Sequence, residues 1–163
     1  MALETLDDVL LHEMSDLLSA EQQFSKALQK VAKAADSEEV KTLAEEHLEE
    51  TKGQIETLKE AFKELGAKPE KMVCKGAQGI CEENDSTLKE EKPKGAIKDV
   101  ALISGSMRIE HYEIAGYTSA IAVARELGQK QVVKLLQQNL KQEKETAKKL
   151  EAAGKVFNGS ANS

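Results

Sequence analysis

Glutamate recurs in this sequence at positions where an amphipathic helix places apolar side chains. Glu21 falls between Leu17 and Phe24, Glu50 between His47 and Gln54, Glu110 and Glu113 between Met107 and Tyr117, and Glu143 between Leu140 and Ala147. Each interval is three or four residues, one helical turn, so every carboxylate shares a stripe with its neighbours. An unpaired carboxylate inside an apolar stripe must stay protonated or pay a large desolvation cost. Several carboxylates in one closed space raise each other's pKa, and they ionise together only if cations join them. Divalent metal ions answer that need, and hard oxygen ligands suit iron or manganese. The competing reading is that some of these glutamates lean to the edge of the fold and pair with lysine.

His47, one turn before Glu50, either ligates a metal or donates a hydrogen bond to a ligating carboxylate. His111 adjoins Glu110 but is turned about 100° around the helix, which favours a boundary position. His12 lies off the stripe, on the solvent side. Gln54 and Tyr117 are placed to hydrogen-bond near the carboxylates. Cys74 and Cys81 are too few for a disulfide framework. Seven residues apart on a helix they would stand about 10 Å apart, beyond disulfide reach, and are expected as reduced thiols.

Long helices must carry these residues. Ala, Glu, Lys, Leu and Arg make up about half of the 163 residues, the composition of helical bundles. Three Phe, two Tyr, no Trp and two prolines leave little material for a β-sandwich. The net charge of −6 is spread with Lys and Glu interleaved. No basic stripe is offered to nucleic acid and no polybasic segment to a membrane. The acidic start of the chain and the lack of any run of 18 apolar residues predict a soluble, cytoplasmic protein.

Both prolines, Pro69 and Pro93, fall in one central connector. In the first half, Leu6, Leu10, Leu17, Phe24, Leu28 and Val31 predict helix one, started by a Thr5–Asp8 capping box. Asp36 or Ser37 caps helix two, which runs to Leu65 and stops at Gly66. The second half predicts helix three over about 96–127, stopped by Gly128, and helix four over about 130–153, stopped by Gly154. The crossover, 66–94, is long enough to span a bundle and should hold a short helix near 77–88. Short turns force each helix pair antiparallel. The expected fold is all-α: an antiparallel four-helix bundle with one long crossover carrying a short extra helix. Residues 1–157 form the domain, and 158–163 a flexible tail.

Depth along the bundle is set by counting from the turns. Glu21 and Glu50 each lie about 15 residues from the first turn, and Glu113 and Glu143 each about 15 residues from Gly128. Glu110 lies one turn from Glu113, so the carboxylates converge at mid-bundle.

The strings DLLSAEQQ around Glu21, HLEETKGQIE around Glu50, DVALISGSMRIEHYEIAGY around Glu110 and Glu113, and LKQEKE around Glu143 resemble the YciE/YciF stress-protein family of the ferritin-like superfamily. The connector string KMVCKGAQGICEE fits too, and the resemblance spans about residues 3–157. It implies a ferritin-like bundle, a dinuclear metal site, a homodimer and a link to bacterial stress. Related di-iron proteins usually carry Glu-x-x-His on helices two and four. Here Glu50 is followed at that offset by Gly53, and Glu143 by Thr146. The expected site is therefore carboxylate-rich, with Glu21, Glu50, Glu110, Glu113 and Glu143 as ligands, His47 as ligand or supporting donor, and two iron or manganese ions. The expected function is reaction of that centre with O2 or peroxide. The alternative is a non-catalytic helical dimer for structural protection or interaction, its metal site weak or vestigial.

Overall fold

A computed structural model describes residues 3–160. Helix α1 spans Leu6–Ala34, α2 Glu38–Glu64, α3 Lys75–Ser86, α4 Gly95–Glu126 and α5 Lys130–Ser160, with a π-helical turn at Thr87–Glu91 after α3. Thr5 caps α1 reciprocally with Asp8, and Ser37 caps α2 by accepting from the Val40 N–H at 3.3 Å. Gly66 and Gly128 take φ of +63° and +68° just past α2 and α4, the left-handed conformation that ends a helix without steric cost. The expected stop at Gly154 is not observed. This glycine keeps helical geometry, and α5 continues to Ser160, so the tail expected from residue 158 begins inside α5 and ends outside the described residues.

The long helices pack in the ring order α1, α2, α5, α4, and α3 lies against α1 and α4. The α1–α2 turn fixes where α4 begins. Both Asp99 carboxylate oxygens accept backbone N–H bonds at 2.9 Å, from Asp36 and from Ser37. Asp36 in turn accepts the Gly95 N–H at 2.7 Å and pairs with Lys98 at 2.8 Å. The crossover must therefore climb the full bundle, which makes all four ring neighbours antiparallel.

Apolar packing fills the two ends of the bundle, and a third cluster of Ala20, Phe24, Cys74, Ala77 and Ile109 lies under α3. Leu10, Met14, Leu17, Leu58, Phe62, Ile121 and Leu136 fill one end, and Val31, Val40, Ala44, Leu102, Ile103 and Leu150 the other. Burial of such side chains contributes about 1.5–3 kcal/mol each, enough to hold a polar layer between them. That layer contains Glu21, His47, Gln54, Glu110, Glu113, Asn139 and Glu143, all buried.

Candidate metal centre

Helix geometry sets the directions of the polar side chains around α2, and contacts with α5 settle which of them stay at the edge. His47 and Gln54, seven residues apart, point within about 20° of each other around α2 and are both buried. Glu50 lies three residues after His47, about 60° off that direction. It reaches the α2–α5 edge, where its side chain is 28% exposed. There Thr146 Oγ1 donates to Glu50 Oε2 at 2.7 Å, and Lys149 Nζ stands 3.7 Å from Oε1. One expected ligand thus leans to the edge and pairs with lysine.

The other four carboxylates are fully buried. One ligand atom from each of His47, Glu110, Glu113 and Glu143 lies within 4.8 Å of the other three. Glu21 faces this quartet from α1. Tyr117 donates its hydroxyl to Glu21 Oε1, and Asn139 Nδ2 donates to Tyr117 at 2.9 Å and to the Gln54 carbonyl at 3.2 Å. His111 is exposed on α4, and His12 stands 3.4 Å from Glu70, away from the centre.

Both oxygens of Glu110, Glu113 and Glu143, the second oxygen of Glu21 and Nε2 of His47 lack a hydrogen-bond partner in the protein. His47 Nε2 sits 2.8 Å from Glu110 Oε1 without hydrogen-bond alignment. Buried polar atoms are normally satisfied, and a group of orphaned acceptors in one sealed layer is a strong fit to cations. The donor set, carboxylate oxygens with one imidazole, fits iron or manganese.

Electrostatics describes the same site without metal. Burial first, and then neighbouring carboxylates, push Glu21, Glu113 and Glu143 well above the usual carboxylate range. Burial raises Glu110 to about 8. Burial lowers His47 to about 4, keeping it neutral, the form that binds metals.

Comparison with known proteins bears on this bundle. The family described as Domain of unknown function (DUF892) matches residues 5–159. The chain belongs to that family. Within DUF892, it is 38% identical over 151 residues to Protein YciF of Escherichia coli (strain K12), covering 92% of this chain and 90% of YciF. The crystal structure of the E. coli stress protein YciF superposes with a TM-score of 0.92 at 35% identity, covering 96% of this chain and 98% of that one. YcfI from Rhodopseudomonas palustris gives a TM-score of 0.87 at 39% identity, with 91% and 94% covered. The bacterioferritin-related dodecameric thioferritin of Bacteroides fragilis, 16% identical, gives 0.75 over 97% of this chain and 90% of that one. It shares the ferritin-like fold. The DUF892 chain is thus a ferritin-like bundle in the family of a stress protein, and no helix of its described residues is long and apolar enough to cross a membrane.

Asn139 is the polar residue of the centre that sequence reasoning missed. It lies three residues after Leu136 and four before Glu143, on the stripe of α5, and that spacing was the available signal. A second polar group lies under α3. The Cys74 thiol donates to Asp16 Oδ2 at 3.1 Å and contacts the Tyr112 hydroxyl at 2.8 Å, and Tyr112 donates to Asp16 at 2.9 Å. Burial pushes the Cys74 thiol up, so it stays protonated and pins the crossover to α1 and α4. Both cysteines are free thiols, as expected.

Proposed function

We propose that Glu21, Glu50, Glu110, Glu113, Glu143 and His47 hold two divalent metal ions, iron before manganese, and that this centre reacts with O2 or peroxide under stress. The observation that carries the reading is the set of buried, unpartnered carboxylate oxygens gathered around His47. Two divalent cations nearly neutralise five carboxylates, which removes the repulsion that otherwise keeps several of them protonated. Glu110, Glu113 and Glu143 each have two free oxygens to offer, whereas Glu21 offers Oε2 alone because Tyr117 holds Oε1. Tyr117 and Asn139 orient Glu21, and the apolar ends of the bundle exclude water. Bound iron or manganese supplies redox chemistry toward O2 or peroxide. The reading includes a cytoplasmic homodimer.

Metal-free protein given Fe(II) without oxygen is expected to bind about two equivalents per chain and then consume O2 on exposure, followed by metal analysis and an oxygen electrode. A Glu113→Ala, Glu143→Ala double variant should do neither. Identical behaviour of the two proteins would refute the reading. Metal binding without O2 uptake would favour a structural role, consistent with Gly53 and Thr146 at the positions of the usual histidines.

A further inference from the structure

Glu50 is the member of the proposed ligand set that solvent reaches, and both of its oxygens are engaged outside the centre. It lies on the α2–α5 edge, opposite the α1–α4 edge that α3 covers. A cation arriving from solvent at this edge meets Glu50 before any buried carboxylate. Its inner neighbours are close: the Glu50 charge acts on His47, Glu110 and Glu143.

Resting on the metal-centre reading above, the geometry points to Glu50 as a carrier that brings cations in between α2 and α5, with Thr146 and Lys149 as the latch that holds it outward. Thr146 is buried one turn beyond Glu143, and its hydroxyl is aimed at Glu50 rather than at the quartet. Lys149 is 46% exposed and stands 3.4 Å from Glu46 Oε2 as well as 3.7 Å from Glu50 Oε1. Its ammonium occupies the place at the mouth that a cation would take. When a divalent ion replaces Lys149 at Glu50, the lysine keeps Glu46 as partner, so no charge is stranded by the exchange. The flexible Glu50 side chain then turns from the edge toward His47 and Glu143 with its ion. Thr146 and Lys149 are positioning residues that act through Glu50; neither is placed among the ligands.

The test is stopped-flow loading of metal-free protein with Co(II), followed by the visible absorption of the bound ion. Thr146→Val should load about tenfold faster than wild type, the factor expected for freeing one charge-assisted hydrogen bond, and Lys149→Met about threefold faster, since its 3.7 Å pair with Glu50 is partly exposed to solvent. Lys148→Met removes the same charge from the neighbouring exposed position and should load as wild type does. Thr146→Val changes no charge, so faster loading in that variant separates release of Glu50 from a general electrostatic effect. Acceleration in fewer than both variants, or equal acceleration in Lys148→Met and Lys149→Met, overturns the latch. A wild type that binds no Co(II) at equilibrium refutes the metal centre itself, a result distinct from failure of the latch.

Discussion

Metal-free protein is expected to lose stability steadily as the pH rises from about 5 to about 8, measured as a falling urea midpoint. The folded chain holds carboxyl protons that the unfolded chain releases near pH 4.5. Glu110 keeps its proton to about 8, and Glu21, Glu113 and Glu143 are raised well above the usual range by burial and mutual repulsion. A raised folded pKa contributes stability that is complete below the unfolded pKa and is lost as the pH climbs toward and through the folded one. The slope is about 1.4 kcal/mol per pH unit for each net proton held by the folded state. His47 acts in the opposite sense between about 4 and 6.5, since burial keeps it neutral. Four raised carboxyls outweigh one depressed imidazole, and above pH 6.5 the carboxyls act alone. Asp36 and Asp85 do not disturb this window, because their lysine partners lower them and they are already ionised at pH 5. Mn(II) should reverse the trend, stabilising more at higher pH as it takes the place of protons. A midpoint that is flat or rises across the window without metal would contradict this.

Glu113→Leu is expected to make the metal-free protein more stable at pH 8, by about 1–3 kcal/mol in urea unfolding, while abolishing stabilisation by metal. Glu113 is fully buried with both oxygens unpartnered, and burial first, then its neighbours Glu21, Glu143 and Glu110, push its pKa up. Leucine has a similar volume and removes both the desolvation cost and one source of repulsion. In an ordinary buried ion pair, removing one partner is strongly destabilising. Glu113 has no such partner among protein side chains, so the sign inverts. A variant less stable than wild type without metal would show that Glu113 is satisfied within the protein and is not reserved for a cation.

The bundle was legible because its punctuation is local. Thr5, Ser37, Gly66 and Gly128 end or begin helices through contacts made within a few residues. Short turns then let counting along the chain set Glu21 level with Glu50 and Glu113 level with Glu143. Gly154 shows the limit of that punctuation, since a glycine ends a helix only if the chain turns there, and α5 does not. Glu50 shows another. An apolar stripe is about 100° wide, so spacing cannot separate the inward direction of His47 from the edge direction of Glu50. What decides the difference is Thr146 and Lys149, about 100 residues away in sequence. The Cys74–Asp16–Tyr112 group was illegible for the same reason, because it joins three elements that only the folded crossover brings together.

We propose that the buried carboxylates and His47 form a two-metal centre, and anomalous diffraction tests this most directly. Crystals of the protein loaded with Mn(II) should show two anomalous peaks within the bundle, bounded by Glu21, Glu110, Glu113, Glu143 and His47, with Glu50 turned inward from Lys149. Loaded crystals with no peak among these residues, and Mn(II) bound only at surface carboxylates, would contradict the account.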